Sequence, residues 1–262
     1  MKEKLNVIKV GGAVVEDPKT LGVLLDGFAA LPGLKVLVHG GGRAATRIAA
    51  QLGIESVMID GRRVTDEETL KVVTMVYGGL VNKSIVAQLQ ARGVNALGLT
   101  GADLGYMRAD RRPLKKVGDQ MVDYGFVGDV KDVDSSILAD LIARGVVPVL
   151  APLTHDGKGN MLNTNADTIA GSAARSLAEI FDVTLTFCFE KKGVLSNPDD
   201  DDSVIPSITE ESFRQLAADG VVAGGMIPKL ENSFDAIHAG VSEVVITRAD
   251  QLGQGTGTTI RK

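Results

Sequence analysis

The feature that most constrains the fold is a short apolar run ending in two glycines, Val7-Ile8-Lys9-Val10-Gly11-Gly12. Near-continuous Val, Ile and Leu runs are typical of parallel strands buried on both faces. Glycines after a strand allow a sharp turn and a close approach of ligands to the backbone N–H groups. Because a lysine is seldom buried without a partner for its charge, we expect Lys9 to point from a central strand towards an anion. The alternative is an edge strand on which Lys9 only discourages edge pairing.

The same order of strand, glycines and helix recurs. Residues 35–39 predict a second buried strand, which Gly40-Gly41-Gly42 and a helix over 43–52 follow. A helix over 17–31, with Asp17 as its cap and Pro18 at its first position, lies between the two strands. Such βαβ units close right-handed. Their alternation along the chain predicts an α/β fold, a three-layer α/β/α sandwich with a central, mainly parallel sheet.

Hydrophobic periodicity and turn residues predict the remaining elements. Strands are expected over 96–99, 146–150, 183–189, 244–246 and 255–260, and helices over 66–92 (kinked at Gly78-Gly79), 135–144, 210–219 and 227–239. Another helix opens at 162–167 and extends to about 181. Asp60-Gly61 and residues 155–160 predict hairpin turns, and residues 105–130 a β-hairpin excursion outside the core. A soft boundary near 173–178 divides the chain into an N-terminal lobe, 1–175, and a C-terminal lobe, 176–262.

Composition excludes several classes of protein. The net charge of −5 gives no electrostatic reason to expect a nucleic acid or an anionic membrane as partner. No tryptophan is present, which disfavours a base-stacking surface. The N-terminus lacks a signal-peptide pattern, and no apolar stretch is expected to be long enough to cross a bilayer. The single cysteine, Cys188, excludes an intramolecular disulfide and fits a reducing compartment, so we expect a cytoplasmic protein.

Three groups of residues point to an anion. The glycine triplet 40–42 joins a strand to a helix N-terminus, where N–H groups and the helix dipole favour negative charge. Arg43 and Lys229 lie in predicted first turns, where a bound anion would offset the unfavourable dipole; Pro228 is a plausible first helical residue. A solvated side chain is the better interpretation for Arg43, but not for Lys229. Polar residues also cluster where a strand meets a helix, at Asn163, Asn165 and Asp167. Asn165 or Thr164 could be a simple cap.

The usual signatures of nucleotide and metal chemistry are missing. No P-loop or nucleophile elbow is present, and Ala45 breaks the G-x-G-x-x-G spacing of dinucleotide-binding enzymes, which disfavours a dehydrogenase. The three histidines are too scattered for a metal site. The remaining lysines, asparagines and glycines suit phosphoryl transfer to an acceptor that is already an anion. A carboxylate, with a pKa of about 4.3, needs no general base; positioning, lysines and Mg²⁺ would lower the barrier.

Five motifs in register then resemble the amino-acid kinase family over nearly the whole chain. They are Lys9-x-Gly11-Gly12, Gly40-Gly41-Gly42, Gly61-x-Arg63-Val64-Thr65, Asn163-x-Asn165-Ala166-Asp167 and Gly225-Met226-x-x-Lys229. The resemblance implies ATP-dependent phosphorylation of the side-chain carboxylate of an N-acylated glutamate, giving an acyl phosphate, as in arginine biosynthesis. Acetyl and succinyl acyl groups both stay open. Two alternatives remain: another carboxylate or carbamate kinase of the family, and a non-catalytic ligand sensor on the same fold.

The resemblance also implies roles for individual residues. Lys9 and Lys229 would stabilise the transferring phosphoryl group, and Asp167 would hold both lysines through charge-assisted hydrogen bonds. The backbone N–H groups that would bind phosphoryl oxygens belong to Gly11, Gly12 and Gly41. The residues that would bind the acyl-amino acid are Gly41, Gly42, Arg63, Asn163 and Asn165, with the forked guanidinium of Arg63 on the α-carboxylate.

Assembly and nucleotide binding are further implications of the resemblance. The helix over 66–92 would form a homodimer, the 105–130 excursion would be a lid, and the C-terminal lobe would bind ATP with Mg²⁺. The chain begins directly at the first strand, so we expect no arginine-regulated hexamer. One segment departs from the family pattern, Phe189-Glu190-Lys191-Lys192, which leaves the adenine and ribose contacts open.

Overall fold

The structure is a computed structural model that describes residues 2–59, 61–224 and 226–262. The strands are β1 Lys4–Val10, β2 Leu34–His39, β3 Met58–Ile59, β4 Arg62–Arg63, β5 Ala96–Leu99, β6 Met107–Arg111, β7 Lys115–Val117, β8 Gln120–Val122, β9 Gly128–Val133, β10 Val147–Leu150, β11 Leu153–His155, β12 Met161–Asn163, β13 Asp182–Phe189, β14 Ser207–Ile208, β15 Glu243–Arg248 and β16 Thr258–Ile260. The helices are α1 Gly12–Glu16, α2 Pro18–Ala30, α3 Gly42–Gln51, α4 Glu67–Val73, α5 Asn82–Gln90, α6 Ser135–Ala143, α7 Ala166–Leu177, α8 Glu210–Ala218 and α9 Met226–His238. A π-helical segment, Thr74–Val81, joins α4 to α5.

The chain forms two compact units, Met1–Leu37 with Ala170–Lys262, and Val38–Ile169. In the first unit the strand order is β14-β16-β15-β13-β1-β2. Strands β1 and β13 are parallel along the whole of β1, from Lys4 opposite Asp182 to Val10 opposite Cys188. This pairing places the N-terminal strand with the C-terminal third, a difference from the predicted lobe 1–175. The binding roles assigned to the two lobes stay predictions.

Helix α2 begins as the sequence predicts. The Asp17 side chain accepts a hydrogen bond from the backbone N–H of Thr20 (3.1 Å), and Pro18 is the first helical residue. An N-cap of this kind is worth about 1 kcal/mol. Its apolar face, which includes Leu24, Leu25 and Phe28, is fully buried. The short helix α1, which follows β1 directly, is not among the predicted elements.

In the second unit, the end of β2, β10 and β5 follow one another in one sheet, with β10 and β5 parallel. A second sheet has the order β12-β11-β6-β9, in which β6 and β9 are antiparallel. The predicted excursion over 105–130 is therefore a hairpin, but its base belongs to the core. Tyr106, Met107, Ala109 and Tyr124 are at most 1% exposed, because β6 also pairs with β11 and turns its apolar residues inwards.

The predicted long helix extends over 67–90, and Gly78-Gly79 lies in its π-helical segment rather than at a sharp kink. Length and composition alone would allow this helix to cross a membrane, so the expectation that no stretch is long enough is wrong on that point. The core helix of a soluble protein passes the same test, and Val72, Val73 and Ile85 are indeed buried.

A few boundaries differ from the predictions. Helix α7 ends at Leu177 instead of near Phe181, and α9 begins at Met226, so Pro228 is its third residue rather than its first. Both predicted hairpins form, β3 with β4 and β11 with β12. Two predicted turn or motif residues, Asp60 and Gly225, lie outside the described residues. The α/β class with a mainly parallel sheet is confirmed.

Candidate active site

Lys9 occupies the position that its sequence context predicts. It lies near the end of β1, between β13 and β2, and its exposed fraction is only 6%. The edge-strand alternative is therefore wrong. Its Nζ lies 5.0 Å from the centroid of the Phe189 ring.

Lys229 reaches the same ring from a different element. It lies in the first turn of α9, and its Nζ is 3.9 Å from the Phe189 centroid. Two ammonium groups thus share one aromatic ring in the first unit. Arg43, by contrast, is exposed, as expected for a solvated side chain.

The glycines after β1 differ in what their N–H groups can do. The N–H of Gly11 donates to the carbonyl of Cys188 (3.1 Å), extending the sheet by one residue. That amide is therefore engaged in the sheet, and a role for it towards a phosphoryl oxygen stays a prediction. A Cβ at Gly11 would lie 3.6 Å from the Phe189 ring. Gly12 opens α1, and its phosphate-binding role stays a prediction.

The glycine triplet lies in the second unit, against Tyr77. A Cβ at Gly41 would approach the Cδ1 atom of Tyr77 to 2.9 Å, and the Tyr77 side chain is buried with an exposed fraction of 5%. Burial raises the pKa of the Tyr77 hydroxyl, although the nearby Arg63 opposes the shift. A side chain at position 41 would therefore force the Tyr77 ring to move.

Both terminal nitrogens of the Arg63 guanidinium donate hydrogen bonds within the second unit. Its Nη1 donates to the Ser56 hydroxyl (2.6 Å), and its Nη2 donates to the Gly42 carbonyl (2.9 Å) and the Thr46 hydroxyl (2.8 Å). Its Nε is buried and has no acceptor among the described residues. A buried N–H without an acceptor is costly, and a ligand oxygen at this point would satisfy it. The structure thus unites Arg63 with Gly42, two predicted substrate-binding residues.

Asn163 supports the same hairpin through Thr65. Its Nδ2 donates to the Thr65 hydroxyl (2.9 Å), which in turn donates to the Arg63 carbonyl (3.0 Å). Asn165 is the cap of α7, since its Oδ1 accepts from the N–H groups of Asp167 (2.8 Å) and Thr168 (3.1 Å). The simple-cap interpretation therefore describes Asn165, and a contact between Asn165 and substrate stays a prediction.

Asp167 lies in the first turn of α7. Its charge raises the pKa of Arg62, a cation that the sequence analysis did not identify. Burial and the charge of Arg112 lower the pKa of Arg62, whereas Asp129 and Asp167 raise it. Arg112 also forms an ion pair with Asp129. The β3–β4 hairpin thus carries a second arginine beside the acidic residue of the Asn-x-Asn-x-Asp motif. The role of Asp167 towards the two lysines stays a prediction.

A buried polar network fixes the start of the glycine triplet. The Nδ1 of His39 donates to the Gly40 carbonyl (2.8 Å), and its Nε2 accepts from the Asn82 side chain (3.1 Å), which also donates to the Val149 carbonyl (2.9 Å). Burial, together with the charge of Lys83, lowers the pKa of His39 to about 4, although the hydrogen bond to Gly40 opposes the shift. The neutral ring is required, because a protonated Nε2 would face the Asn82 N–H.

Because this network needs a neutral His39, we expect the free energy of unfolding to decrease in acid. His39 binds its proton at pH 6.5 when unfolded but only near pH 4 when folded, so the unfolded state binds more protons between these values. The free energy of unfolding should therefore fall as pH falls through this window, by about 3 kcal/mol in total. Urea titrations at several pH values measure this slope. His39→Gln should remove the part of this slope that His39 contributes, and an unchanged slope in that variant would contradict the assignment.

The acidic loop 199–202 and the lysines after β13 neutralise one another. Lys191 pairs with Asp201 (2.8 Å) and Lys192 pairs with Asp202, all at the surface apart from the half-buried Lys192. These ion pairs are typical of a solvated charged turn. No group of three or more His, Cys, Asp or Glu residues suited to a metal ion occurs in the part of the chain that the structure describes.

Comparison with known proteins gives consistent results. The Amino acid kinase family profile matches residues 4–248. The chain is 70% identical to an acetylglutamate kinase of Bacteroides thetaiotaomicron over 262 residues, covering 100% of both chains. It is 68% identical to an acetylglutamate kinase of Bacteroides fragilis over 262 residues, covering 100% of this chain and 98% of the relative. A crystal structure of a Streptococcus mutans protein superposes with a TM-score of 0.78 at 30% identity, covering 98% of each chain.

Proposed function

The chain belongs to the amino acid kinase family, and we propose that it carries out phosphoryl transfer with Lys9 and Lys229 as the groups that stabilise the transferring phosphoryl. It is an N-acylglutamate kinase of arginine biosynthesis, as its full-length relatives indicate. The observation that carries the proposal is the meeting of both ammonium groups at the Phe189 ring. Two lysines held this way form a site for a dense negative charge.

The acceptor supplies its own nucleophile. A side-chain carboxylate is ionised at neutral pH, so one of its oxygens attacks the terminal phosphorus of ATP without loss of a proton. The bond from that phosphorus to the ADP oxygen breaks, and an acyl phosphate and ADP result. The barrier lies in bringing two anions together and in the charge on the transferred group, both of which lysines offset.

The second unit offers donors for the acyl-amino acid. The buried Nε of Arg63 lacks an acceptor among the described residues, and the neighbouring Gly41 has no room for a side chain. These two features favour a carboxylate oxygen against Arg63 and a backbone contact at Gly41. Asn163 supports the hairpin through Thr65. We place the α-carboxylate of the acylglutamate at Arg63.

ATP is the phosphoryl donor that we propose, and Mg²⁺ would accompany it. The described residues hold no cluster of three metal-binding side chains, and Mg²⁺ in kinases is bound largely by phosphates and water with one or two carboxylates. An ion that arrives on the nucleotide needs no such cluster. When bound, Mg²⁺ neutralises phosphate charge during transfer.

Hydroxylamine trapping tests this function. Acyl phosphates yield hydroxamates, so the purified protein is incubated with ATP, hydroxylamine and one acceptor from a panel. The panel contains N-acetyl-glutamate, N-succinyl-glutamate, free glutamate, carbamate and UMP. We expect a hydroxamate with an N-acylglutamate, and the better of the first two acceptors identifies the acyl group. No hydroxamate from either N-acylglutamate would contradict the proposal. Turnover of carbamate or UMP would then favour another kinase, and no turnover of any acceptor would favour a sensor.

We also infer a homodimer through the long helix. Met75 and Leu80 are more than half exposed, and they lie five residues apart in the π-helical segment, where i and i+5 share a face. Leu97 on the neighbouring β5 is exposed as well. Leu80→Glu should produce monomers in sedimentation experiments, whereas the exposed Ile180→Glu should not. A Leu80→Glu protein that stays dimeric would contradict this interface.

The cytoplasm is the location that we infer. Cys188 is a buried free thiol, as a reducing compartment favours, and burial raises its pKa to about 12. A thiol of this kind is inert and needs no redox function.

A further inference from the structure

Phe189 stands at the point where three elements of the first unit converge. It is the last residue of β13, beyond the pair of Val10 with Cys188 that ends β1. Its ring lies 5.0 Å from the Lys9 Nζ and 3.9 Å from the Lys229 Nζ. One side chain therefore contacts both cations that the proposed mechanism uses.

The sheet explains why Lys9 reaches this ring. Lys9 pairs with Phe187, and side chains two apart on a strand share a face of the sheet. Phe187 and Phe189 accordingly stack, with centroids 6.1 Å apart and ring planes inclined by 7°. Phe189 thus packs against its neighbour on the same face of the strand.

Electrostatics explains what the ring contributes. Like charges repel, and the Lys9 and Lys229 ammonium groups lie 5.0 Å and 3.9 Å from the centroid of one ring. The negative face of an aromatic ring attracts each cation, more strongly where water is partly excluded. The exposed fraction of Lys9 is only 6%, so its charge is largely withdrawn from water. An aliphatic side chain of equal size would pack as well but would offer no such attraction.

We propose that Phe189 is a positioning residue that holds the Lys9 and Lys229 ammonium groups together by cation–π contacts, ready for the transferring phosphoryl group. The inference rests on the function proposed above, because it needs both lysines to act on that group. The ring itself touches the lysines rather than the reacting atoms. Its contribution should therefore appear in kcat, with little change in the Michaelis constants.

A fluorination series at position 189 separates electrostatics from packing. Mono-, di- and trifluorophenylalanine keep the shape of the ring but weaken its negative face stepwise. Each substitution should lower kcat further, to about tenfold for the trifluoro ring. Phe189→Leu should lower kcat by at least as much, and Phe189→Tyr should restore most of it.

Phe28 provides the matched control. It also carries a lysine over its ring, with the Lys35 Nζ 5.3 Å from the centroid. The same fluorinated residues at position 28 weaken a contact of the same kind, and there kcat should stay within twofold of the unmodified protein.

A spectroscopic measurement, read together with the kinetics, distinguishes failure of this inference from failure of the proposed function. In ligand-free protein with ¹³C-labelled lysine, ring currents should shift the ε-methylene signals of Lys9 and Lys229 upfield, and Phe189→Leu should abolish the shift. Lys9→Met and Lys229→Met assign the two signals. If these lysine variants lose turnover while fluorination at position 189 leaves kcat unchanged, the inference is overturned and the proposed function stands. If the lysine variants keep turnover, the proposed function of the lysines fails, and with it the inference, even if the ring-current shifts are present.

Discussion

Replacing Lys9 or Lys229 by methionine should lower kcat by about a thousandfold. Methionine keeps much of the length and apolar character of the lysine stem, so the substitution mainly removes the charge. Because the charge on the phosphoryl group grows during transfer, the lost interaction belongs to the transition state, and kcat should fall with little change in either Michaelis constant. Steady-state kinetics with ATP and the acylglutamate measure these constants.

Lys191→Met is the matched control for both variants. Lys191 is exposed and pairs with Asp201 at the surface, so its loss should leave kcat within twofold. Thermal unfolding of all three variants checks that the fold persists. A Lys9→Met or Lys229→Met enzyme with near-normal turnover would show that this lysine does not carry the role assigned to it.

Arg63→Ala should raise the Michaelis constant for the acylglutamate by about a hundredfold, the size expected when a charged hydrogen-bonding partner of a carboxylate is lost. The constant for ATP should change far less. Arg63→Lys should recover little, because an ammonium group cannot reproduce the fork that contacts Ser56, Gly42 and the substrate together.

The arginine also has a structural role, which a second variant separates from binding. Thr46→Val removes one acceptor of the Arg63 Nη2 but leaves the guanidinium in place. It should shift the melting temperature by a few degrees at most and leave both Michaelis constants nearly unchanged. Equal losses for both substrates in Arg63→Ala would show that the hairpin had collapsed, and would contradict a specific carboxylate contact.

Local patterns predicted most of the elements correctly. The apolar run before Gly11 and the cap at Asp17 are complete within a few residues, and β1 and α2 form as expected. The burial of Lys9 followed from the same reasoning, since an unbroken apolar run implies neighbours on both sides. The resemblance added residues such as Arg63 and Asn163, which the structure links through Thr65.

Contacts between residues distant along the chain could not be predicted in this way. Phe189 meets Lys9 only because β13 pairs in parallel with β1, and no local pattern encodes that register. Tyr77 packs against Gly41, and Asn82 forms a hydrogen bond with His39. Both come from the long helix, and the sequence does not reveal the π-helical geometry of its middle segment. The engagement of the Gly11 N–H by Cys188 has the same cause.

The most direct test of the central claim follows one oxygen atom. The acylglutamate is labelled with ¹⁸O in its side-chain carboxylate and incubated with ATP, the enzyme and hydroxylamine. If that carboxylate attacks phosphorus, hydroxylamine then attacks the carbonyl carbon and releases phosphate that carries one labelled oxygen. We expect ³¹P spectra to show this singly labelled phosphate in amounts equal to the hydroxamate. Unlabelled phosphate alone would mean that water or another acceptor took the phosphoryl group, and would contradict the account.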